Sequence, residues 1–210
     1  MREQAGEGAS MIGVAITQRV ELVPAYGERR DALDQRWTDF LDRCGLAPIL
    51  VPNNADMLPH LMEVARIEGV ILTGGGDLIE YGGNAPERDR TEAALLRVAM
   101  EQQLPVMGVC RGMQAIQHFF GVKLAAVSGH VAHQQTILIN GESETVNSYH
   151  CFGSPATVPD LEVWAVAEDG VVKAIRHRHR AIQGVMWHPE RCTPFRDADI
   201  RLFRQLFAVQ

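Results

Sequence analysis

The feature that most restricts the fold is an alternation. Four times within the first 120 residues, a short apolar run is followed by a segment whose apolar side chains recur at helical spacing. The runs are residues 12–16, 48–51, 70–72 and 106–109. The segments that follow carry Leu33, Trp37, Phe40, Leu41 and Cys44, then Leu58, Leu61, Met62 and Ala65, then Leu95, Leu96 and Ala99, then Met113, Ile116, Phe119 and Phe120. Apolar runs this short suit strands buried on both faces, and strand–helix–strand order belongs to a parallel sheet with helices on each side. Gly45 stands where the first helix needs a C-terminal cap. Beyond residue 121 the pattern turns β-rich, with strands predicted at 136–139, 163–167, 171–175 and 182–187 and a turn at Asp169-Gly170. Thr193-Pro194 reads as the cap and first turn of a closing helix that carries Phe195, Leu202, Phe203, Leu206 and Phe207. The expected organisation is a flexible polar leader over residues 1–10 and a single α/β domain with an antiparallel extension over residues 11–210.

Charge and cysteine spacing narrow the function. The net charge is -6, and the densest basic cluster is only Arg176-His177-Arg178-His179-Arg180, which suits a solvated hairpin edge or a local anion contact, so nucleic acid is not expected as a partner. No apolar run approaches the ~20 residues needed to cross a bilayer, and the first ten residues lack the apolar stretch of a secretory signal. The expected compartment is the cytoplasm. Cys44, Cys110, Cys151 and Cys192 are too widely spaced for a metal or redox pair and read as free thiols.

One of these cysteines sits in Gly108-Val109-Cys110-Arg111-Gly112-Met113-Gln114, where an apolar run meets a helical pattern. That is the setting of a nucleophile elbow, in which flanking glycines permit a sharp turn and the helix N-terminus favours an anion. Taken alone, the same residues also fit a buried structural cysteine. Gly184-Val185-Met186-Trp187-His188-Pro189-Glu190 adds a histidine and a carboxylate two residues apart after another apolar run, the arrangement of a base and its orienting group. Together the two motifs point to Cys110, His188 and Glu190 as a catalytic set. Thr73-Gly74-Gly75-Gly76 follows a third run and lets main-chain N–H groups approach a ligand. It lacks the spacing of a phosphate loop or a dinucleotide fingerprint. His130 and His133 share a stretch, but the sequence places no third metal ligand near them, and a pocket or loop role is expected instead. Cys44 reads as core and Cys151 as a possible pocket residue.

These motifs, with Pro86-Glu87-Arg88-Asp89-Arg90-Thr91-Glu92, Val146-Asn147-Ser148-Tyr149-His150 and Glu168-Asp169-Gly170, resemble the class I glutamine amidotransferase-like fold and, within it, the γ-glutamyl hydrolase branch. The resemblance runs from about residue 12 to the last helix. It implies a flavodoxin-like parallel sheet with an antiparallel β extension, no cofactor and no metal. It implies that Cys110 attacks a γ-glutamyl carbonyl, that His188 moves the proton and that Glu190 orients His188. It places the oxyanion on N–H groups of Gly75 or Gly76 and of Arg111, and the glutamyl group on Gln114, Asn147, Ser148, Tyr149 and His150. The usual polar residues of the γ-aminobutyrate hydrolases are replaced by Cys151, Phe152 and Met186, where the leaving amine would sit. Residues 16–19, 147–150, 186–191 and 194–195 are instead similar to a compact sub-branch that hydrolyses γ-glutamyl-CDP-amidate in making capsule phosphoramidate. An anionic leaving group would call for positive charge, for which Arg19, Arg88, Arg111 and Arg191 are candidates, with Arg19 and Arg191 placed best at strand ends. The alternatives that stay open are a γ-glutamyl-γ-aminobutyrate hydrolase and a glutaminase subunit that delivers ammonia to a synthetase partner. A small-molecule γ-glutamyl substrate, and either a homodimer or that synthetase, are the partners expected.

Overall fold

Burial along the first strand shows how the sheet is seated. Val14 and Ile16 pack into one helical layer and Ala15 into the other, so both faces of the strand are covered. The computed structural model describes residues 11–209, so the leader expected over 1–10 lies outside the described residues.

The chain begins with β1 (Ile12–Thr17), a hairpin of β2 (Arg19–Val23) and β3 (Glu28–Ala32), α1 (Arg36–Cys44) and β4 (Leu46–Val51). There follow α2 (Leu58–Val64), β5 (Gly69–Leu72), α3 (Pro86–Gln102), β6 (Val106–Val109) and α4 (Arg111–Phe119). The remainder is β7 (Ala125–Ala126), β8 (Val131–Ile139), β9 (Glu142–Tyr149), β10 (Phe152–Gly153), β11 (Leu161–Ala167), β12 (Val172–His177), β13 (Ile182–Val185) and α5 (Asp197–Leu206). Nine strands form one sheet in the order β4-β1-β5-β6-β13-β12-β11-β8-β9. The strands from β4 to β13 pair in parallel, and β12, β11, β8 and β9 extend the sheet antiparallel. The expected α/β class with a parallel sheet and an antiparallel extension is what the chain adopts.

One layer joins Trp37, Phe40 and Leu41 of α1 and Phe203 of α5 to Val14, Ile16, Ile71 and Met107 of the sheet. Phe40 and Phe203 meet edge to face at 4.9 Å. The other layer joins Leu95, Leu96, Met113 and Ile116 to Ala15, Val70, Leu72 and Val106. Each fully buried Leu, Ile or Phe stabilises the fold by roughly 1.5–3 kcal/mol. Gly45 takes φ 75° and caps α1, as its position predicts.

Four features differ from the sequence expectation. The β2–β3 hairpin and β9 were not expected, and β8 begins five residues before the predicted strand. The closing helix starts at Asp197, with Arg196 as its N-cap, and Phe195 precedes it. Thr193 does not cap because it lies three residues before the N-cap, where its hydroxyl accepts from Arg36 Nη2 at 2.7 Å, while the Cys192 carbonyl accepts from the same nitrogen at 2.6 Å. No helix among the described residues is long and apolar enough to cross a membrane. The C-terminal ends of β1, β5, β6 and β13 lie along one edge of the parallel region, the edge where open α/β sheets bind ligands.

Candidate active site

Cys110 is the residue at which β6 stops and α4 begins. Its N–H still belongs to the sheet, donating to the Val185 carbonyl at 2.7 Å, while its carbonyl accepts from the Gln114 N–H at 3.1 Å and opens the helix. Joining the two demands φ 52° and ψ -107°, a conformation that costs a non-glycine residue about 1–3 kcal/mol. The glycines on either side make it possible. A Cβ on Gly108 would lie 2.6 Å from the Gly112 backbone, and one on Gly112 would lie 2.0 Å from the Leu72 carbonyl oxygen. The turn leaves the thiol at the positive end of α4, with Sγ 3.8 Å from the Tyr149 carbonyl.

His188 follows β13 and is fixed through its main chain. Its N–H donates to Asn147 Oδ1 at 2.7 Å, and its carbonyl accepts from Asn147 Nδ2 at 2.9 Å. Its ring is held from the far side, where Nδ1 meets Glu190 Oε1 at 2.7 Å. The Tyr149 ring lies 5.7 Å from the imidazole at 61°, its hydroxyl bonded to His133 Nδ1 at 2.8 Å. Burial disfavours a charged imidazole here, but hydrogen bonds and charge from Cys110 and Glu190 outweigh it and push His188 up to about 9. The resting imidazole is therefore protonated at neutral pH and poised to donate.

The glycine loop lies against both groups. A Cβ on Gly74 would stand 2.5 Å from His188 Cε1 and 3.4 Å from Cys110 Cβ, so only glycine lets the main chain come this close. Gly75 and Gly76 both take positive φ, 92° and 72°. Behind the loop, Arg88 donates to the carbonyls of Thr73 at 2.7 Å, Gly74 at 3.1 Å and Gly75 at 2.7 Å. These bonds draw three successive carbonyls toward one guanidinium. Arg88 and Arg111 share the buried carboxylate of Glu92, which also accepts from the Thr17 hydroxyl at 3.0 Å. Burial works against the Glu92 anion, yet Arg111 and Arg88 hold its carboxyl below the usual range.

This network corrects part of the sequence expectation. Arg88 and Arg111, two candidates for meeting an anionic leaving group, are each 1% exposed with their guanidinium groups spent on Glu92, Asp89 and the loop carbonyls. Only the Arg111 main chain, at the start of α4, remains beside the thiol. Arg19 and Arg191 differ: both border one crevice together with Gly74, Gly75 and Glu190. Arg191 also places its guanidinium 5.2 Å from the centre of the Tyr149 ring. Met186, expected beside the leaving amine, is instead buried in the core among Val172, Ile175 and Ile182.

The segment expected to hold the glutamyl group is partly engaged by the protein itself. Asn147 is committed to His188, and Ser148 donates to the His130 carbonyl at 2.7 Å. Gln114 Nε2 donates to the Phe152 carbonyl at 2.8 Å. His150 bonds through Nδ1 to that same carbonyl at 2.8 Å and through Nε2 to Lys173 Nζ at 2.6 Å. Burial, followed by the Lys173 charge, pushes His150 down to about 3, so its ring is neutral and accepts from the lysine. Lys173 went unnoticed in the sequence. It is 1% exposed, donates to Ser148 Oγ at 3.0 Å, and is pushed down to about 8 chiefly by burial, against the charges of Cys110 and Asp169. The clue was available, since Lys173 lies among Val172, Ala174 and Ile175 in the buried first part of β12. His130 bonds Asp169 and Gln135, and among the described residues no cluster of His, Cys, Asp or Glu is gathered to hold a metal.

The assembled geometry brings together a thiol, an imidazole backed by a carboxylate and a close-lying glycine loop, groups with which sulfur can attack a carbonyl and a proton can be returned. Comparisons with known proteins agree with that chemistry. A family model described as peptidase C26 matches residues 10–137 and 124–190. A Campylobacter jejuni protein named gamma-glutamyl-CDP-amidate hydrolase is 30% identical over 185 residues, covering 85% of this chain and 90% of the relative. An Escherichia coli O157:H7 gamma-glutamyl-gamma-aminobutyrate hydrolase is 27% identical over 205 residues, covering 78% of this chain and 80% of the relative. The crystal structure of a Thermoplasma acidophilum protein assigned as one of the subunits of GMP synthase superposes with a TM-score of 0.70 at 18% identity, covering 94% of this chain and 93% of that one.

Proposed function

The chain belongs to the peptidase C26 family, and on that premise we propose that it is a cysteine-dependent hydrolase that releases L-glutamate from a γ-glutamyl amide, most specifically γ-glutamyl-CDP-amidate. Cys110 Sγ, as the thiolate whose proton His188 holds, forms a bond to the γ-carbonyl carbon, and the carbonyl oxygen takes the negative charge. The N–H groups of Gly75 or Gly76 and of Arg111 receive that charge. The C–N bond breaks as His188 gives its proton to the leaving nitrogen, and a γ-glutamyl thioester remains on Cys110. His188, now neutral, takes a proton from water, whose oxygen displaces the sulfur and frees glutamate. Glu190 keeps the imidazole in the required tautomer throughout.

The observation that carries this reading is the meeting of an elbow cysteine at positive φ with a histidine whose far nitrogen is bonded to Glu190 at 2.7 Å. The glutamyl group is assigned to Gln114 and to residues 147–150, where Tyr149 faces His188 while Asn147, Ser148 and His150 act through the groups they hold. The nucleotide side is assigned to Arg19 and Arg191, which flank the glycine loop. The test compares kcat/KM for γ-glutamyl-CDP-amidate, γ-glutamyl-γ-aminobutyrate and glutamine, in the wild type and in Cys110→Ala, His188→Ala and Glu190→Gln. The expected order puts the nucleotide substrate first, with no turnover in Cys110→Ala or His188→Ala and a milder loss in Glu190→Gln. A preference for γ-glutamyl-γ-aminobutyrate would overturn the nucleotide assignment, and near-normal activity in Cys110→Ala would end the proposal altogether.

A further inference from the structure

Lys173 is a buried cation that the proposed hydrolysis leaves without a part. Both hydrogen bonds of its ammonium go to neutral groups, Ser148 Oγ at 3.0 Å and His150 Nε2 at 2.6 Å. His150 Nδ1 donates to the Phe152 carbonyl at 2.8 Å, which leaves Nε2 to accept from the lysine. A buried ammonium ordinarily has a carboxylate beside it, because an unpaired charge is costly to desolvate. The negative charges that bear on Lys173 are those of Cys110 and Asp169. The Asp169 side chain is 53% exposed and already bonded at 3.0 Å to His130, whose ring stacks on His150 at 4.9 Å. Cys110 is the buried partner of the two, and it carries charge only once its thiol has ionised.

The main chain joins lysine and sulfur. Ser148 and His150 flank Tyr149, whose carbonyl lies 3.8 Å from Cys110 Sγ. That oxygen can accept from a thiol, but it repels a thiolate. One residue earlier, Asn147 clamps the main chain of His188 at 2.7 and 2.9 Å. The Lys173 carbonyl accepts from the Met186 N–H at 2.8 Å, two residues before His188. One residue therefore fastens both the end of β9 and the approach to His188.

We propose that Lys173 is a positioning residue of this hydrolase, whose ammonium holds residues 148–150 against Cys110 and favours the Cys110 thiolate. The inference rests on the reading of Cys110 as nucleophile and His188 as its proton carrier. His188, backed by Glu190, supplies one positive charge to the thiolate, and Lys173 supplies a second that offsets the Tyr149 carbonyl. Burial pushes the lysine down to about 8, so it is still charged at neutral pH. The coupling is reciprocal: the thiolate favours the ammonium by as much as the ammonium favours the thiolate.

The experiment needs no substrate. Iodoacetamide labelling of the Cys110 peptide is followed by mass mapping from pH 4 to pH 10 in the unsubstituted chain, Lys173→Met and His188→Ala. In Lys173→Met the pH of half-maximal labelling should rise by about one unit, a roughly tenfold slowing on the acid side. At the alkaline end, where the thiol is ionised in both chains, the two rates should meet. A purely structural role would slow labelling equally at every pH, and that profile would overturn the assignment. A second measurement keeps Lys173 in place. Lys123 and Lys173 are the two lysines of the sequence, so isotope-labelled lysine gives two side-chain resonances that titrate separately. Lys173 should lose its proton at lower pH in Cys110→Ser than in the unsubstituted chain, while Lys123 stays unmoved. A Lys173 titration indifferent to Cys110 would overturn the coupling even if Lys173→Met fails to fold. A labelling profile that shifts in His188→Ala but not in Lys173→Met overturns this inference alone. A profile that His188→Ala leaves in place overturns the hydrolase reading, and this inference with it.

Discussion

Replacing Lys173 by methionine isolates an energy that the fold carries at its centre. Lys173 is buried, bonded to Ser148 and His150, and lowered from 10.5 to about 8 mainly by desolvation. Below pH 8 the lysine is charged in both folded and unfolded chains. Between 8 and 10.5 the unfolded chain keeps a proton that the folded chain has released, so more protons are bound to the unfolded state and stability rises with pH. At about 1.4 kcal/mol per pH unit, that window is worth roughly 3 kcal/mol. Methionine fills a similar volume without a charge, so Lys173→Met lacks this rise altogether. Urea unfolding of both proteins at pH 7.5, 8.5, 9.5 and 10.5 gives the difference at each pH, and groups common to both cancel. The wild type should gain about 3 kcal/mol on the variant across the series. At pH 7.5 the variant escapes the cost of burying a cation but leaves His150 Nε2 without its donor, an opposing loss of about 1–3 kcal/mol. The slope is therefore the decisive quantity. A difference that stays flat from pH 7.5 to 10.5 would show that Lys173 is solvated or paired in the folded protein, and the reasoning would fail.

Three further outcomes are expected. Gly74→Ala, whose Cβ would lie 2.5 Å from His188 Cε1, should displace the imidazole and reduce kcat/KM by about 100-fold while far-UV circular dichroism shows the sheet intact. The alkaline limb of kcat/KM should fall with an apparent pKa near 9, because the proton donated to the leaving nitrogen is lost as pH rises through the raised His188 value; a limb near 6.5 would contradict the pairing with Cys110 and Glu190. Mass mapping after brief iodoacetamide treatment of the native protein should find Cys44 unmodified, since burial pushes its thiol up to about 12, and rapid labelling of Cys44 would contradict its packing in the α1 layer.

The parallel half of the fold was legible because its strands are buried on both faces and therefore written as unbroken apolar runs. The elbow was legible for a related reason: close approach of Gly112 to the Leu72 carbonyl leaves glycine no substitute, and the spacing records that constraint. The β2–β3 hairpin and β9 were illegible because most of their side chains meet solvent, so no apolar period marks them. Thr193-Pro194 misled because the segment before the helix is held by a tertiary partner, Arg36, that no local pattern announces, and the helix starts only at Asp197. The same limit applies to charge. Arg88 and Arg111 read as ligands from sequence, and only folding reveals that Glu92 occupies them. Lys173 shows the converse, a cation in a strand whose burial is decided by neighbours from β9.

The position of β13 has a consequence for how the protein comes into being. These four residues pair with β6 on one side and β12 on the other, so the last of the described strands is inserted into the middle of the sheet. Until residues 182–185 emerge from the ribosome, β6 has a bare backbone edge on an apolar strand, the kind of surface to which other chains adhere. The same insertion delivers His188 to Cys110. On the proposed mechanism, a nascent chain carries its thiol for nearly eighty residues of synthesis, at a pace of about 5–20 residues per second, before its base arrives. Closure of the sheet and onset of reactivity become one event, and a chain interrupted before that strand should aggregate rather than hydrolyse.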